Sequence, residues 1–264
     1  MVGKLIKYEF LRTRAPLALA GAIGLAICAV GYVLALVAPV VAIVPFVVGF
    51  TMGIIFTFAV QIYLAVDFYR SSFGRRGYFT HTLPIKGTTL VLTKLGYALI
   101  ATAAAMVWSV VLLLVSLASA VELGMITYAE FWAGFRDLFG AGNLFLTFMI
   151  LNVVALILVT IVQYFFAVAV GSEAWINKAG GMGPVVTFLI VYVAIQLLAL
   201  LALLIPPSYN PLSEAWSWSV PLIDMIRNPD NVGIPISAFW ITYVLSGLLL
   251  WRTVVSVNKK LELR

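Results

Sequence analysis

The sequence predicts an all-α polytopic membrane protein with six transmembrane helices. Of its 264 residues, 64% are hydrophobic and only 10% are charged, and the mean hydropathy is +1.12. A soluble domain has roughly 45–50% apolar and ~25% charged residues, so this chain has too few charges to cover a water-facing surface. The aromatic content of 13% and the long aliphatic runs also exclude a disordered chain.

Six apolar segments are long enough to cross a bilayer, which takes about 20 helical residues. They lie at 16–38, 40–66, 95–121, 144–170, 185–205 and 234–255. Little more than Ala38 and Pro39 joins the first two segments, so a tight helical hairpin is expected there. Residues 2–14 are basic and repeat Val2, Ile6 and Phe10 at helical spacing, which favours an N-terminal interfacial helix. A basic flank that only stops translocation is the alternative.

Basic residues concentrate on one side of the predicted spans. All of the 16 lysines and arginines except Arg136 and Arg227 fall on the side of the two termini and of the loops after spans two and four. The positive-inside rule therefore predicts a multi-pass protein of the cell membrane with both termini in the cytoplasm. The net charge of +6 follows from this topology and from attraction to the inner leaflet of the lipid bilayer, and it does not indicate nucleic acid as a partner.

Aromatic residues mark the predicted outer side. Thr127 and Glu130 have capping-box spacing and open a short amphipathic helix that stops before Gly140. The proline-rich segment 206–233 predicts broken outer helices between spans five and six, either on the surface or re-entrant. Both segments carry predicted interfacial anchors, with substrate binding as the alternative for the first segment. The anchors are Tyr128, Phe131, Trp132, Phe135, Phe139, Trp216 and Trp218.

No motif in the sequence predicts an enzyme or a bound cofactor. There is no G-x-x-x-x-G-K-[ST], G-x-S-x-G or H-E-x-x-H string. One cysteine, Cys28, and one histidine, His81, cannot form a disulfide or a tetrahedral metal site within the chain. No ionisable residue lies near a span centre, which disfavours ion-coupled transport. Asp67 and Glu173 lie at span ends, where water is expected to reach them.

Small and amide-bearing residues inside the spans predict helix contacts. Gly49 with Gly53, and Ala167 with Gly171, would allow close approach of helices within the subunit or across a dimer. The buried amides are expected to form interhelical hydrogen bonds rather than to bind a ligand. They are Gln61, Asn152, Gln163 and Gln196.

The loop 67–94 combines several basic residues with aromatic and apolar ones. Its second part, YFTHTLPIKGTTLVLTK at 78–94, resembles the loop after the second span of bacterial ABC-2-type exporter permeases. In that family an aromatic residue leads to a Leu-Pro-[Ile/Val] turn, followed by a leucine-rich helix bearing Lys or Arg. The six spans, the basic start and the broken outer segment are similar to the same family over the whole chain. An ordinary connector is the alternative for the loop.

The resemblance implies a transmembrane subunit that works as a homodimer or heterodimer above two separate ATP-binding cassette ATPase subunits. The ATPase would hold ATP and Mg, and the loop 67–94 would supply a cytoplasmic coupling helix that docks on it. The second inner loop would add a smaller contact. The residues implied in coupling are Tyr78, Leu83, Pro84, Ile85, Glu173 and Trp175.

The resemblance also implies that spans two and five line the dimer interface and the path. Since the path residues are apolar or amide, an amphipathic or lipidic substrate such as a peptide antibiotic, a drug or a lipid is expected. Two other classes remain. One is a non-transporting immunity or assembly protein that binds an antimicrobial peptide, and the other is a membrane-embedded enzyme, which the missing catalytic motifs disfavour.

Overall fold

The computed structural model describes residues 2–74, 86–139, 144–173, 181–210, 215–227 and 233–259. The helices in this part of the chain are α1 (Val2–Val37), α2 (Pro39–Ser72), α3 (Gly87–Glu122), α4 (Tyr128–Phe139), α5 (Leu144–Gly171), α6 (Met182–Ala202), α7 (Pro221–Arg227) and α8 (Ser237–Lys259). Three short strands lie between α6 and α8, namely β1 (Ser208–Asn210), β2 (Ala215–Ser217) and β3 (Ile234–Pro235).

Six of the helices, α1, α2, α3, α5, α6 and α8, have the length and the apolar composition needed to cross a membrane. Many of their aliphatic side chains are exposed, including Val40, Ile100 and Ile190. Exposed apolar surface on this scale is foreign to a soluble monomer and suits contact with lipid. The prediction of a mostly helical protein with six apolar helices that could span a membrane is confirmed.

The hairpin between the first two spans is as tight as predicted. Only Ala38 separates α1 from α2, and its carbonyl accepts hydrogen bonds from the backbone N–H groups of Val41 (3.0 Å) and Ala42 (3.2 Å). Pro39 occupies the first helical position of α2, where a backbone N–H would have no intrahelical acceptor. A proline therefore starts this helix without the loss of a hydrogen bond.

Contacts divide the chain into two compact units. Unit 1 comprises Met1–Asp67 and Leu92–Thr147, and unit 2 comprises Phe68–Val91 and Phe148–Arg264. Both α2 and α3 therefore contribute to both units. Their long apolar parts belong to unit 1, and their ends beside the loop 73–86 belong to unit 2.

The helices of unit 1 are longer than the apolar runs that predicted them. Residues 2–14 are helical as expected, but they continue through Pro16 into the first span, so the N-terminal interfacial helix is not a separate element. Glu9 and Thr13 are buried in this part of α1, so one of its faces packs against protein. A helix continues beyond its apolar run when side chains of neighbouring helices pair with its polar residues.

Small residues bring α1, α2 and α3 together in unit 1. A methyl group on Gly53 would lie 2.8 Å from Cδ2 of Leu113 on α3. On Gly49 it would lie 2.9 Å from Sγ of Cys28 on α1 and 3.1 Å from Oγ of Ser116 on α3. This predicted small-residue pair therefore packs within the subunit, where any larger side chain would separate the helices.

Unit 2 has an apolar core beside the loop 73–86. The rings of Phe68 and Phe165 stack with centroids 4.2 Å apart and an interplanar angle of 9°. Val91 at the start of α3, Ala169 on α5 and Val257 on α8 form a buried cluster. The end of α2 and the start of α3 are thus both packed against α5, and α3 also against α8.

Two further contacts hold the spans of unit 2. A methyl group on Gly171 would lie 2.5 Å from the backbone N and Cα of Pro184, so the end of α5 touches the start of α6 directly. The hydroxyl of Tyr243 on α8 donates a 2.8 Å hydrogen bond to Oδ1 of Asn152 on α5. The interhelical hydrogen bond predicted for Asn152 is confirmed. Gln196, in contrast, is exposed on α6.

The segment between spans five and six differs from the prediction of broken helices. Its described residues form one short helix, α7, and an antiparallel sheet in the order β2-β1-β3, with Tyr209 opposite both Trp216 and Ile234. Pro206 and Pro207 explain the start of this change, because a residue before proline is pushed towards extended backbone and proline has no N–H for a helix. The six spans are helical as predicted, and the outer segment adds a small sheet that the sequence did not predict.

Candidate functional site

The predicted coupling residues lie largely outside the part of the chain that the structure describes. This holds for Tyr78, Leu83, Pro84, Ile85 and Trp175. The structure does describe both flanks of the loop, up to Gly74 after α2 and from Lys86 before α3, together with Glu173 after α5. These flanks form the candidate site.

Four charged side chains meet near the loop in unit 1, and we call them the charged cluster: Glu9, Arg12, Asp67 and Lys94. Arg12 pairs with Glu9 one turn earlier on α1 and with Asp67 on α2, where its Nε lies 2.9 Å from Oδ1. Nζ of Lys94 on α3 lies 3.1 Å from the carboxylate of Glu9. The charged cluster therefore joins all three spans of unit 1.

The interior of the charged cluster is shielded from water. The side chains of Glu9 and Lys94 are 10% and 5% exposed, whereas that of Arg12 is 32% exposed. Buried ions lose hydration, and removal of one partner leaves an uncompensated charge at a cost of about 3–5 kcal/mol. Beside the cluster, the hydroxyls of Thr13 and Tyr97 form a further hydrogen bond between α1 and α3.

Asp67 is partly exposed, as the sequence predicts, but its carboxylate also belongs to the charged cluster. Its side chain is 16% exposed and is held by both Arg12 contacts. The sequence alone predicts for Arg12 and Lys94 only a place on the basic face of the membrane, and it assigns no role to Glu9. The available signal was one acid within an otherwise basic segment, three residues before an arginine, which is the spacing of a helical ion pair.

A second buried ion pair lies at the other predicted inner loop, in unit 2. Nη2 of Arg252 on α8 lies 2.6 Å from Oε1 of Glu173, whose side chain is 2% exposed. The expectation that water reaches Glu173 is therefore wrong. The carboxylate of Glu173 therefore joins the residue after α5 to α8 inside unit 2.

The start of α3 is fixed by the last turns of α8. Nδ2 of Asn258 donates a 2.9 Å hydrogen bond to the hydroxyl of Thr88, and a methyl group on Gly87 would lie 2.5 Å from Oδ1 of Asn258. Two residues earlier on α8, the hydroxyl of Ser256 donates to the carbonyl of Ala169 at 3.2 Å. The first turn of α3 therefore contacts α8, which is itself hydrogen-bonded to α5.

The predicted outer anchors are exposed where the structure describes their side chains. Tyr128, Trp132, Trp216 and Trp218 are all exposed, Trp218 at 78%. Phe131 is half-buried and packs edge-on against Trp132 with ring centroids 5.1 Å apart. Phe135 and Phe139 are residues of α4 whose side chains lie outside the described part of the structure.

The capping box that opens α4 is confirmed. The backbone N–H of Thr127 donates to Glu130 at 2.8 Å, and the backbone N–H of Glu130 donates to the Thr127 hydroxyl at 3.2 Å. The backbone hydrogen bond, followed by the hydroxyl contact, lowers the pKa of Glu130. The first turn of α4 is therefore held by a charged carboxylate at neutral pH.

The buried charged groups of the candidate site form ion pairs that join different helices. Both flanks of the loop 73–86 are held in place by buried ion pairs, stacked rings and hydrogen bonds. Comparison of the chain with protein-family models, with curated proteins and with solved structures finds no match. Any functional conclusion therefore depends on the residues of the chain itself.

Proposed function

We propose that this chain is the transmembrane permease subunit of an ATP-driven exporter of the ABC-2 type. In this proposal it moves an amphipathic or lipidic substrate outward, and separate ATP-binding cassette subunits bind ATP and Mg and dock on the loop 67–94. The resemblance of residues 78–94 to the corresponding loop of that family supports the proposal. The six apolar helices support it at the level of architecture.

The proposed orientation places both termini and the loop in the cytoplasm of a cell. It is supported by the concentration of lysine and arginine on that side of the spans. In this orientation the charged cluster and the pair of Glu173 with Arg252 both lie near the cytoplasmic face, where an ATPase would act. The exposed aromatic residues Tyr128, Trp132 and Trp218 lie on the outer side, at the level of the lipid headgroups.

The observation that carries the proposal is the attachment of the two helix ends that border residues 73–86. On the side of α2, Asp67 is held by Arg12, and the next residue, Phe68, stacks on Phe165. On the side of α3, Thr88 is held by Asn258, and Lys94 is paired with Glu9. A force applied to the loop by a partner would therefore reach the spans of both units through packed contacts. A loop that serves only as a connector needs no such attachment.

The surface of α6 supports a dimer with this helix at the interface. Its buried residues are Gly183 and Thr187 near one end and Ala202 at the other, while its middle exposes Leu189, Val193 and other aliphatic side chains. An apolar surface of this kind is compatible with a second subunit and with a substrate that is itself partly apolar. A strongly charged substrate would find no Asp, Glu, Lys, Arg or His side chain along it among the described residues of α6.

The proposal is tested by Leu83→Asp. The variant should reach the membrane at the normal level, because Leu83 is outside the apolar spans, but it should no longer co-purify with the ATPase or support ATP-dependent transport. The loss of a buried leucine contact removes about 1.5–3 kcal/mol, and a carboxylate adds a desolvation cost. The measurement is ATP hydrolysis and subunit content of the affinity-purified complex from native membranes.

Thr82→Asp is the matched control, since it introduces the same charge at the neighbouring position without removal of an apolar side chain. Retention of ATPase activity by Thr82→Asp together with its loss in Leu83→Asp would support docking through Leu83. Normal transport by Leu83→Asp would contradict it. If the wild-type chain purifies without any ATPase and binds an antimicrobial peptide, the immunity or assembly alternative replaces the proposal.

A further inference from the structure

A groove of about 590 Å³ runs along unit 1 between α1 and α3, with one side closed by α2. We call it the α1–α3 groove. Its lining is almost entirely apolar, apart from one cationic side chain at one end. Residues that define it are Arg14, Gly21, Leu25, Tyr97, Ala104 and Trp108.

The α1–α3 groove is long enough for much of an acyl chain. On α1 it extends from Phe10 to Leu25, and on α3 from Tyr97 to Trp108. At 1.5 Å per helical residue, the two sides are roughly 22 Å and 16 Å long, so the groove covers at least half of the ~30 Å hydrocarbon core. A groove of this length suits a lipid chain that enters from the side of the N-terminus.

The polar groups beside the groove lie where a phospholipid needs them, with none of the described ones unsatisfied at the deep end and cationic side chains near the opening. Trp108 donates its indole N–H to the carbonyl of Gly21 at 3.2 Å, so its polar edge is already satisfied at the deep end of the groove. Arg14 is exposed at the other end, and among the described residues it forms no ion pair. Lys7, also exposed, lies two turns before Arg14 on the same face of α1. The groove is thus apolar along its length and cationic at its opening.

We infer that the α1–α3 groove binds one acyl chain of an anionic phospholipid from the leaflet on the N-terminal side, with the phosphate at Arg14. A peptide segment is a poor occupant, because an extended backbone needs hydrogen-bond partners in an apolar site and this lining offers few. This inference goes beyond the proposed function and requires only that unit 1 is embedded in a membrane.

A second groove provides an internal comparison. It has a volume of about 400 Å³, lies between α1 and α2, and is lined in the described part of the chain by residues such as Leu17, Ile55 and Tyr63, none of them charged. Annular lipid should therefore fill it without regard to headgroup charge. Selectivity for anionic headgroups is expected only in the α1–α3 groove, where Arg14 lies at the opening.

The test uses quenching of Trp108 fluorescence by lipids with brominated acyl chains. The full-length protein is reconstituted into phosphatidylcholine vesicles that contain increasing fractions of brominated phosphatidylglycerol or brominated phosphatidylcholine. The difference between wild type and Trp108→Phe isolates the signal of Trp108. Brominated phosphatidylglycerol should associate about fivefold more strongly, which corresponds to the ~1 kcal/mol that one basic side chain gains beside anionic lipid.

Four variants, together with a tryptophan probe in the second groove, test whether the preference depends on Arg14 and on this groove. Arg14→Gln should abolish the headgroup preference, and Arg14→Lys should retain it. Ala104→Phe should reduce quenching at Trp108 by filling the groove, whereas Ala103→Phe, at an exposed neighbouring position that does not line it, should not. Ile55→Trp in the Trp108→Phe background reports the second groove and should show no preference.

Three results would overturn the inference. Equal quenching by the two lipids would mean that the groove holds unselected lipid. If Arg14→Gln still prefers phosphatidylglycerol to phosphatidylcholine, the anionic headgroup does not bind at Arg14. Absence of quenching by either lipid would mean that a second copy of the chain, or another protein segment, covers the groove. None of these outcomes depends on an ATPase, so the proposed function is not affected by them.

Discussion

Replacement of Lys94 by methionine should destabilise unit 1 through Glu9. The ammonium group lies 3.1 Å from the Glu9 carboxylate, and both side chains are at least nine-tenths shielded from water. Loss of one partner from a buried ion pair costs about 3–5 kcal/mol. Arg12 remains beside Glu9 and is a third exposed, so part of the charge stays compensated and we expect a loss of about 2–3 kcal/mol.

The assay is thermal unfolding of the purified protein in detergent, followed by circular dichroism. Each kcal/mol lowers the midpoint by roughly 2–4 °C in a chain of this size, so Lys94→Met should unfold about 4–12 °C below the wild type. Lys4→Met, at an exposed position on α1, is the matched control and should stay within about 0.5 kcal/mol.

A double-mutant cycle separates the ion pair from the removal of a long side chain. If Glu9 and Lys94 interact directly, Glu9→Gln combined with Lys94→Met should cost less than the sum of the two single changes, by about 0.5–3 kcal/mol. Strict additivity, or a Lys94→Met variant as stable as Lys4→Met, would refute the charged cluster as a stabilising feature.

Three further predictions concern packing, pH and orientation. Gly171→Ala should lower the unfolding free energy by about 1–3 kcal/mol in the same detergent assay, because its methyl group meets rigid backbone at 2.5 Å, whereas Gly247→Ala, which has open space, should be neutral or slightly stabilising. Because the pKa of Glu130 is lowered in the folded state, its capping contribution is present above the ordinary pKa of the carboxyl and is lost as the pH falls through the lowered value. The protection of the α4 amides from hydrogen exchange, relative to an unfolded peptide at the same pH, should fall in this range. In Glu130→Gln this protection should no longer change with pH. In a chain whose single cysteine is replaced by serine, Ala129→Cys should react with an impermeant maleimide on intact cells and Lys4→Cys only after permeabilisation, and the reverse pattern would contradict the proposed orientation.

Local signals in the sequence predicted local structure. The apolar runs predicted six spans, the dipeptide Ala38-Pro39 predicted the hairpin, and Thr127 with Glu130 predicted the first turn of α4. Each signal depends on residues within a few positions of one another. Hydropathy did not predict where the helices end, because the turns near Glu9 and Lys94 are stabilised by contacts with other helices rather than by apolar composition.

Contacts between distant residues could not be predicted. Arg12 and Asp67 are 55 residues apart, and a single sequence contains no signal that pairs them. The outer sheet escaped prediction for another reason, since strands of two or three residues are too short to show an alternating pattern. The sequence therefore predicted where the candidate site lies, through the loop 67–94, whereas its ion pairs and hydrogen bonds are visible only in the structure.

The charged cluster has a consequence for the response of unit 1 to membrane voltage. It combines the two acids Glu9 and Asp67 with the two bases Arg12 and Lys94, so its formal charge is zero. An electric field acts on net charge, at ~2.3 kcal/mol per elementary charge per 100 mV. Movement of the whole cluster through the field therefore requires no electrical work and is not driven by the membrane potential. Lys94→Met would leave one uncompensated negative charge in the cluster, and displacement of the cluster along the field would then require electrical work.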